Sequence, residues 1–511
     1  MGVHWRTIRR FTSDRGPLLT LAVAFSVVCS CVLVTSGFIR GTDQFWYVAD
    51  VESLVHGQHV TNNIFPANLA TPGPLPRSFV HNNLTLYVVV PLARLLGGQA
   101  GWLATNLACT GGSALLVFLS LRRTSARAAA LAASFLLLLP LTIWVTCNAL
   151  SEPIYVFLTT LCLFVWLRAR HPLSQALFVI AAVAAALAKE NLVVLLLVPI
   201  LSLCLWRGEW RSNFRGSSYL VCISLFGLAL FAILRNMVFA ENIHYSLAAR
   251  LITTLPPKND NMAPYFLSTP PDFNWALFWE KAARNVPALV RFAPTEAPFL
   301  VPFYALLGLF LWCLASNWRT LSIDCKASRA CVVTIMLIAS YCATVLLFQN
   351  ESRYVCFLIP SLLVSTSFLV SWTERRIRIL EVCLLCLLPV APVLAFRVRK
   401  EGMQQSVETK KIQQFVDSHL GEGIPLLVVR DSGDGSRFIE VTFAVRPRAT
   451  LVIEEPNFCG QLNRYRKRFD VRYAFGQASF LASMSKHVAD IERDAGRYAG
   501  YGVFDIQTSC Q

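Results

Sequence analysis

GTDQFWYVAD, residues 41–50, follows directly on the first long apolar run of the chain, PLLTLAVAFSVVCSCVLVTSGFI at 17–39. That run is long enough to cross a hydrocarbon core of about 30 Å as a helix. It is longer than a signal-peptide core and lacks a small-residue cleavage site, so it reads as a retained span. Asp43 and Asp50, with Trp46 and Tyr47 between them, therefore stand at the mouth of a membrane span.

The rest of the chain has the same character. Of 511 residues 55% are hydrophobic and 15% charged, with a mean hydropathy of +0.52. A soluble chain of this length cannot cover so much apolar surface, which makes bilayer the solvent. Apolar runs place spans near 17–39, 100–121, 128–148, 152–168, 173–189, 191–206, 217–239, 298–316, 330–349, 354–372 and 379–396. The pair within 173–206 is separated only by Lys189-Glu190-Asn191. About eleven spans put the Arg- and Lys-rich segments, at the amino terminus, 122–127, 168–170, 207–215, 317–329 and 373–378, on one side. The positive-inside rule makes that side cytoplasmic. Residues 40–99, 149–151, 189–191, 240–297, 349–353 and the tail from 397 then face outward. The fold class is an α-helical polytopic membrane protein, with 1–396 as the transmembrane module and 397–511 as an outward-facing soluble α/β domain.

The net charge of +16 is largely orientation signal beside the cytoplasmic leaflet and calls for no nucleic-acid partner. Most of the 16 cysteines lie inside spans and act as small apolar residues. Cys383 and Cys386 have C-x-x-C spacing but sit in an apolar run, so no zinc site is read there. Cys459 and Cys510 both face outward on this topology and are available for one disulfide.

The long loops are all on the outer side. From Asp43 to Gly57, helical spacing gathers Asp43, Tyr47, Asp50 and Leu54 on one face, beside Val48, Val51 and Val55, as an interfacial amphipathic helix. A loop rich in Asn, Pro and Gly follows at 59–78, and then a juxtamembrane apolar stretch at 81–98. No inverted or parallel repeat of the kind that builds carriers is visible.

These outer residues resemble the GT-C glycosyltransferases, which include protein O-mannosyltransferases, lipid A aminoarabinose transferases and many bacterial polysaccharide-modifying enzymes. The resemblance is carried by an aspartate just after the first span with a Tyr four residues on, and by Ala49, Leu54 and Gly57 at the end of that stretch. NALSEPIYVFL (148–158) is similar to the short second outer loop of that family. AALAKEN (185–191) looks like its Leu-Ala-x-x-Thr-Lys stretch, with Ala188 for Thr and Lys189 in register. NESRYVCFLIP (350–360) resembles its basic-aromatic opening of a late span. Together these motifs cover roughly 17–396. The chain departs from the pattern at Gln44, where many relatives have Glu, and at His81-Asn82-Asn83, where many have a Pro-Pro or Lys-Pro pair. The Asp-Glu and Asp-x-Asp variants are those associated with a divalent metal, so no metal or other cofactor is assigned.

The resemblance implies a hexosyl- or pentosyltransferase that takes a sugar from a polyprenyl-phosphate donor and passes it, with inversion, to a glycan, lipid or protein acceptor outside a bacterial inner membrane. Inversion needs one carboxylate to accept the acceptor's proton. Asp43 is the candidate base, and Glu152 would orient the base or a donor hydroxyl. The lipid phosphate that leaves needs fixed positive charge, for which Lys189, Arg353 and His81 are candidates. Trp46, Tyr47 and Tyr354 offer flat surfaces for a sugar.

Each residue also has a plainer role. Asp43 would be a solvated residue past a helix end, and Asp50 and Glu52 the solvated face of the same helix. Glu152 would favour a helix N-terminus, Lys189 would pair with Glu190, and Arg353 with Glu351. Arg94 and Arg235 read as structural. Against the plainer reading of Lys189, it is nearly alone among charges in a long apolar tract. A transporter or flippase for lipid-linked saccharides, or a polymerase or ligase acting on them, is the alternative function.

The tail alternates elements. Residues 397–420 and 479–496 read as helical, and 425–430, 449–455 and 500–506 as strands, while 436–445 fits either.

Overall fold

The computed structural model of the chain describes residues 2–39, 42–55, 83–169, 172–205, 214–239, 275–289, 294–321, 325–347, 352–370 and 372–420, and four strands beyond them. Nearly all of these residues are helical.

The first apolar run lies in α1 (Gly2–Thr35). Its end is defined by a hydrogen bond from the Ser36 amide to the Val32 carbonyl and by Gly37 at φ +90°, a left-handed conformation that costs a residue with a Cβ dearly. α2 (Thr42–Val55) packs on α3 (Asn83–Leu96) and α4 (Gly98–Leu121). Gly97, at φ +91°, turns α3 back into α4. The two helices approach so closely that a Cβ on Gly101 would collide with the Ala93 backbone and lie 2.8 Å from the Ala93 Cβ. Trp102 is fully buried on α4 and donates its indole N–H to the Tyr47 carbonyl at 2.9 Å. The Tyr47 and Trp102 ring centroids are 5.1 Å apart, so one aromatic pair pins α2 to the bundle.

Ser125 caps α5 (Ala126–Leu138) by accepting the Ala128 amide. α5 then bends by 57° into α6 (Pro140–Thr146). The cause is Pro140, which drives the preceding Leu139 to ψ 133°. α7 (Glu152–Trp166) and α8 (Pro172–Ala188) form the next hairpin. At Lys189 the α-helix stops, residues Glu190–Leu197 continue as 3₁₀-helix, and α9 (Val198–Leu205) completes the segment. Asn191 closes this break by donating to Thr344 at 2.9 Å, while the Ser340 hydroxyl donates to the Asn191 carbonyl at 2.7 Å. Neighbouring side chains thus satisfy the Asn191 side-chain N–H and carbonyl at the break, while its Oδ1 has no hydrogen-bond partner among the described residues.

α10 (Phe214–Phe239), α11 (Trp275–Asn285), α12 (Ala297–Asn317) and α13 (Lys326–Leu347) follow. A second 3₁₀ stretch, Ser352–Leu358, opens α14 (Ile359–Leu369). α15 (Glu374–Leu387) and α16 (Val390–Leu420) close the helical part. Among the described residues five helices are long and apolar enough to cross a membrane, or six if the bent α5–α6 pair is one span, and six shorter apolar helices accompany them. Leu33, Trp312 and Leu385 are more than 60% exposed, as lipid-facing side chains are. The chain is an integral membrane protein.

α16 passes through residue 396 without a break, so the expected boundary between last span and outer domain is a continuous helix. Strands β1 (Leu426–Arg430), β2 (Ala449–Glu454), β3 (Tyr473–Gln477) and β4 (Tyr501–Asp505) form one sheet in the order β2-β1-β3-β4. β1 is parallel to β2 and β3, and β3 is antiparallel to β4. Phe475 of β3 is buried, its ring 6.4 Å from that of Phe415 on α16. β3 was not expected from the sequence, since its Ala and Gly positions weaken the strand pattern. The stretches 436–445 and 479–496, and Cys459 and Cys510, lie outside the described residues.

Substituting Gly101→Ala forces overpacking at the α3–α4 contact and is expected to destabilise by about 1–3 kcal/mol. Gly308→Ala, with open space around it, should be neutral or stabilising. Thermal denaturation of the two variants in one detergent checks the contrast.

Candidate functional site

The site begins at the turn 147–151, between α6 and α7. Asn148 is buried there and held from three directions. Its Oδ1 accepts from Gln44 Nε2 at 2.8 Å, its Nδ2 donates to the Trp144 carbonyl at 2.6 Å, and its own carbonyl accepts from Asn106 Nδ2 at 2.7 Å. Gln44 Oε1 in turn accepts the Ala149 amide at 3.3 Å. Gln44 thus donates and accepts on the same turn, which a glutamate cannot do. That accounts physically for an amide at position 44.

Ser151, next along, links two tyrosines. Its hydroxyl lies 2.8 Å from Tyr47 Oη and 3.1 Å from Tyr155 Oη. Glu152 begins α7 and is buried, with Oε1 3.5 Å from Arg353 Nε. Arg353 belongs to the 3₁₀ stretch before α14, so this ion pair joins the turn 147–151 to the start of α14. Glu152, rather than Glu351, is the described partner of Arg353; Glu351 lies outside the described residues. Lys189, at the α8 break, has Nζ 5.3 Å from the Tyr354 ring centroid and 5.6 Å from that of Tyr155. Arg353 Cζ is 5.6 Å from the Tyr354 centroid. Two cations therefore flank one aromatic ring beside a buried carboxylate.

Of the residues singled out from the sequence, Tyr47, Glu152, Lys189, Arg353 and Tyr354 come together here from four separate parts of the chain. Asp43 lies on the first turn of α2, one helical turn before Tyr47. The side chains of Asp43, Trp46 and Arg235, and the whole of His81, fall outside the described residues. Arg94 sits exposed in the last turn of α3. Among the described residues no group of three His, Cys, Asp or Glu is placed to hold a metal. Asn106, Asn148, Ser151 and Tyr155 were not picked out from sequence, and Gln44 was noted only as a departure from the family pattern. The signal was present in the polar Asn148 and Ser151 flanking Glu152 inside an apolar tract.

Asp50 is a correction. Rather than lying on a solvated face it is buried, and it has no hydrogen-bond partner among the described residues. Burial pushes its carboxyl up to about 8, because a low-dielectric surrounding disfavours the charged form. Glu52 is half-buried rather than solvated, with its side chain filling the space a Cβ on Gly98 would need.

No protein-family model matches the chain, and no curated protein does. Solved structures do. ArnT from Cupriavidus metallidurans, bound to undecaprenyl phosphate, is similar over 95% of this chain and 97% of its own, at 14% identity and a TM-score of 0.55. The oligosaccharyltransferase AglB from Archaeoglobus fulgidus, in complex with an inhibitory peptide and a dolichol-phosphate, is similar over 91% of this chain and 70% of its own, at 11% identity and a TM-score of 0.56. The arabinofuranosyltransferase AftD from Mycobacteria is similar over 95% of this chain and 40% of its own, at 13% identity and a TM-score of 0.50. All three have the GT-C fold of membrane glycosyltransferases. The chain described here has the GT-C fold.

Two outcomes follow from this geometry. Gln44→Glu sets an acceptor against Asn148 Oδ1, and flipping Asn148 would forfeit its bond to Trp144. A loss of about 1–3 kcal/mol is expected, read as a lower melting temperature. Asp50 keeps its proton in the folded state up to about pH 8, whereas the unfolded chain releases it near 3.8. Its contribution is therefore fully present below about pH 4 and is lost as pH rises towards 8, by at most about 1.4 kcal/mol per pH unit. Melting temperatures from pH 5 to 8 should fall less steeply for Asp50→Asn than for wild type.

Proposed function

We propose that this protein is a glycosyltransferase that moves a sugar from a polyprenyl-phosphate donor to a cell-envelope acceptor at the outer face of the membrane. The observation that carries the reading is the meeting of Lys189 and Arg353 around Tyr354, beside the buried Glu152. Cations held at broken helices near a membrane boundary are suited to an anionic lipid headgroup. ArnT, of the same fold, is described bound to undecaprenyl phosphate, and AglB with a dolichol-phosphate. About eleven spans, with the amino terminus cytoplasmic and the region after residue 396 outside in a bacterial inner membrane, is the topology that goes with this reading.

The chemistry is then a single displacement. The acceptor hydroxyl attacks the anomeric carbon from the face opposite the phosphate, and Asp43 takes its proton. As the new carbon–oxygen bond forms, the bond from the anomeric carbon to the phosphate oxygen breaks. The oxygen keeps the electron pair and leaves as polyprenyl phosphate, with Lys189 and Arg353 stabilising its charge. Glu152 holds Arg353 in place, and Trp46, Tyr47 and Tyr354 provide the surface against which the sugar lies. His81, just before α3 in the sequence, joins the phosphate-binding set.

The test uses purified full-length protein and radiolabelled polyprenyl-phosphate sugars. Asp43→Asn should lower turnover by about 10²–10⁴-fold, the usual span of general-base catalysis, with donor binding retained. Lys189→Gln should instead weaken donor binding. Unchanged turnover in Asp43→Asn would remove that residue from the mechanism. Donor left unconsumed by wild type, with lipid-linked saccharide crossing a vesicle bilayer, would replace the enzyme reading with transport.

A further inference from the structure

The Arg-rich start of α15 is separated from the site by two consecutive helical stretches. The 3₁₀ stretch Ser352–Leu358 and α14 (Ile359–Leu369) connect the two, and together they rise roughly 30 Å, the thickness of the hydrocarbon core. α15 begins after Thr373, whose hydroxyl accepts the Arg376 amide.

The charges on this helix are unevenly matched. Both of its acids are engaged by one residue of α5: Arg127 lies 3.2 Å from Glu374 and 2.8 Å from Glu381. Arg375 and Arg378 make no ion pair or hydrogen bond with any described residue. Both line an open concavity along one face of α15, together with Glu374, Ile379, Val382 and Cys383. The lining has a direction. Its charged residues are in the first turns of α15 and its apolar ones a turn or two deeper, with Ile379 and Val382 more than half exposed.

We propose that this face of α15 is a binding site for an anionic phospholipid of the leaflet opposite the glycosyl-transfer site. The two arginines would hold the headgroup phosphate, and Ile379, Val382 and Cys383 would lie along its acyl chains. A free phosphate ion satisfies only the upper half of the concavity, whereas a lipid satisfies both. Arg127 offsets one of the two carboxylate charges and holds both acids to its own side, and Arg375 and Arg378 leave the local charge facing the lipid positive. The assignment needs only that the chain spans a bilayer and does not rest on the transfer reaction.

Native mass spectrometry of the full-length protein, delipidated and then exposed to phosphatidylglycerol or phosphatidylcholine with identical chains, tests it. Two arginines at a membrane surface correspond to a preference for phosphatidylglycerol of about 30-fold. Arg375→Gln/Arg378→Gln should abolish that preference, and Arg375→Lys/Arg378→Lys should keep most of it, which separates lost charge from lost folding. Arg122→Gln/Arg123→Gln, exposed at the same boundary, should behave as wild type. The proposal is overturned if the Gln pair at 375 and 378 keeps the preference. It is equally overturned if the pair at 122 and 123 loses it to the same degree, since that would be a diffuse boundary charge. Displacement of the lipid by inorganic phosphate at equal concentration would overturn it in favour of a free-anion site.

Discussion

A buried carboxylate and two largely enclosed cations among apolar helices impose the condition on which the rest of the site depends. Glu152, Lys189 and Arg353 each carry a desolvation cost that only near neighbours can offset. The chain meets it by ending helices where the charges are. α7 begins at Glu152, α8 ends at Lys189, and the 3₁₀ stretch that carries Arg353 precedes α14. Each break leaves backbone groups that an intact helix would have satisfied, and buried Asn, Ser and Thr side chains from α13 and the turn 147–151 gather at the breaks.

The second constraint is closeness. α2 reaches the site only because α3 and α4 approach each other through Gly97, Ala93 and Gly101, and because Trp102 holds the Tyr47 carbonyl. Tyr47 then reaches Ser151, and through it Tyr155 beside Lys189. Asp43 is one turn away on the same helix. In this way a packing contact more than fifty residues along the chain fixes the position of α2 relative to the cations.

Gln44 shows how the same helix serves two ends. One turn-facing side chain clamps Asn148 and Ala149, and that clamp orients the residues leading into Glu152. The amide is required because the turn presents both a carbonyl oxygen and an N–H. Asp50 works the other way. It is a buried carboxyl that remains protonated, and so it adds no further charge to a helix already carrying Asp43.

Much of this was legible in the sequence. The apolar runs and the basic segments between them follow from hydropathy and charge alone, because a bilayer admits only long apolar helices and excludes isolated charge. Three of the four strands, β1, β2 and β4, coincide with β-branched and aromatic stretches. What the sequence did not contain was partnership. It offered Glu190 and Glu351 as neighbours for Lys189 and Arg353, and the structure adds partners that no local reading could supply: Glu152, two hundred residues away, for Arg353, and the Tyr354 ring for Lys189. Helical spacing put Asp50 with Asp43 on one face, but periodicity specifies an angle around a helix and not what packs there. Whether that face meets water or another helix is settled by tertiary contact, and burial alone turned Asp50 from a solvated charge into a neutral core group.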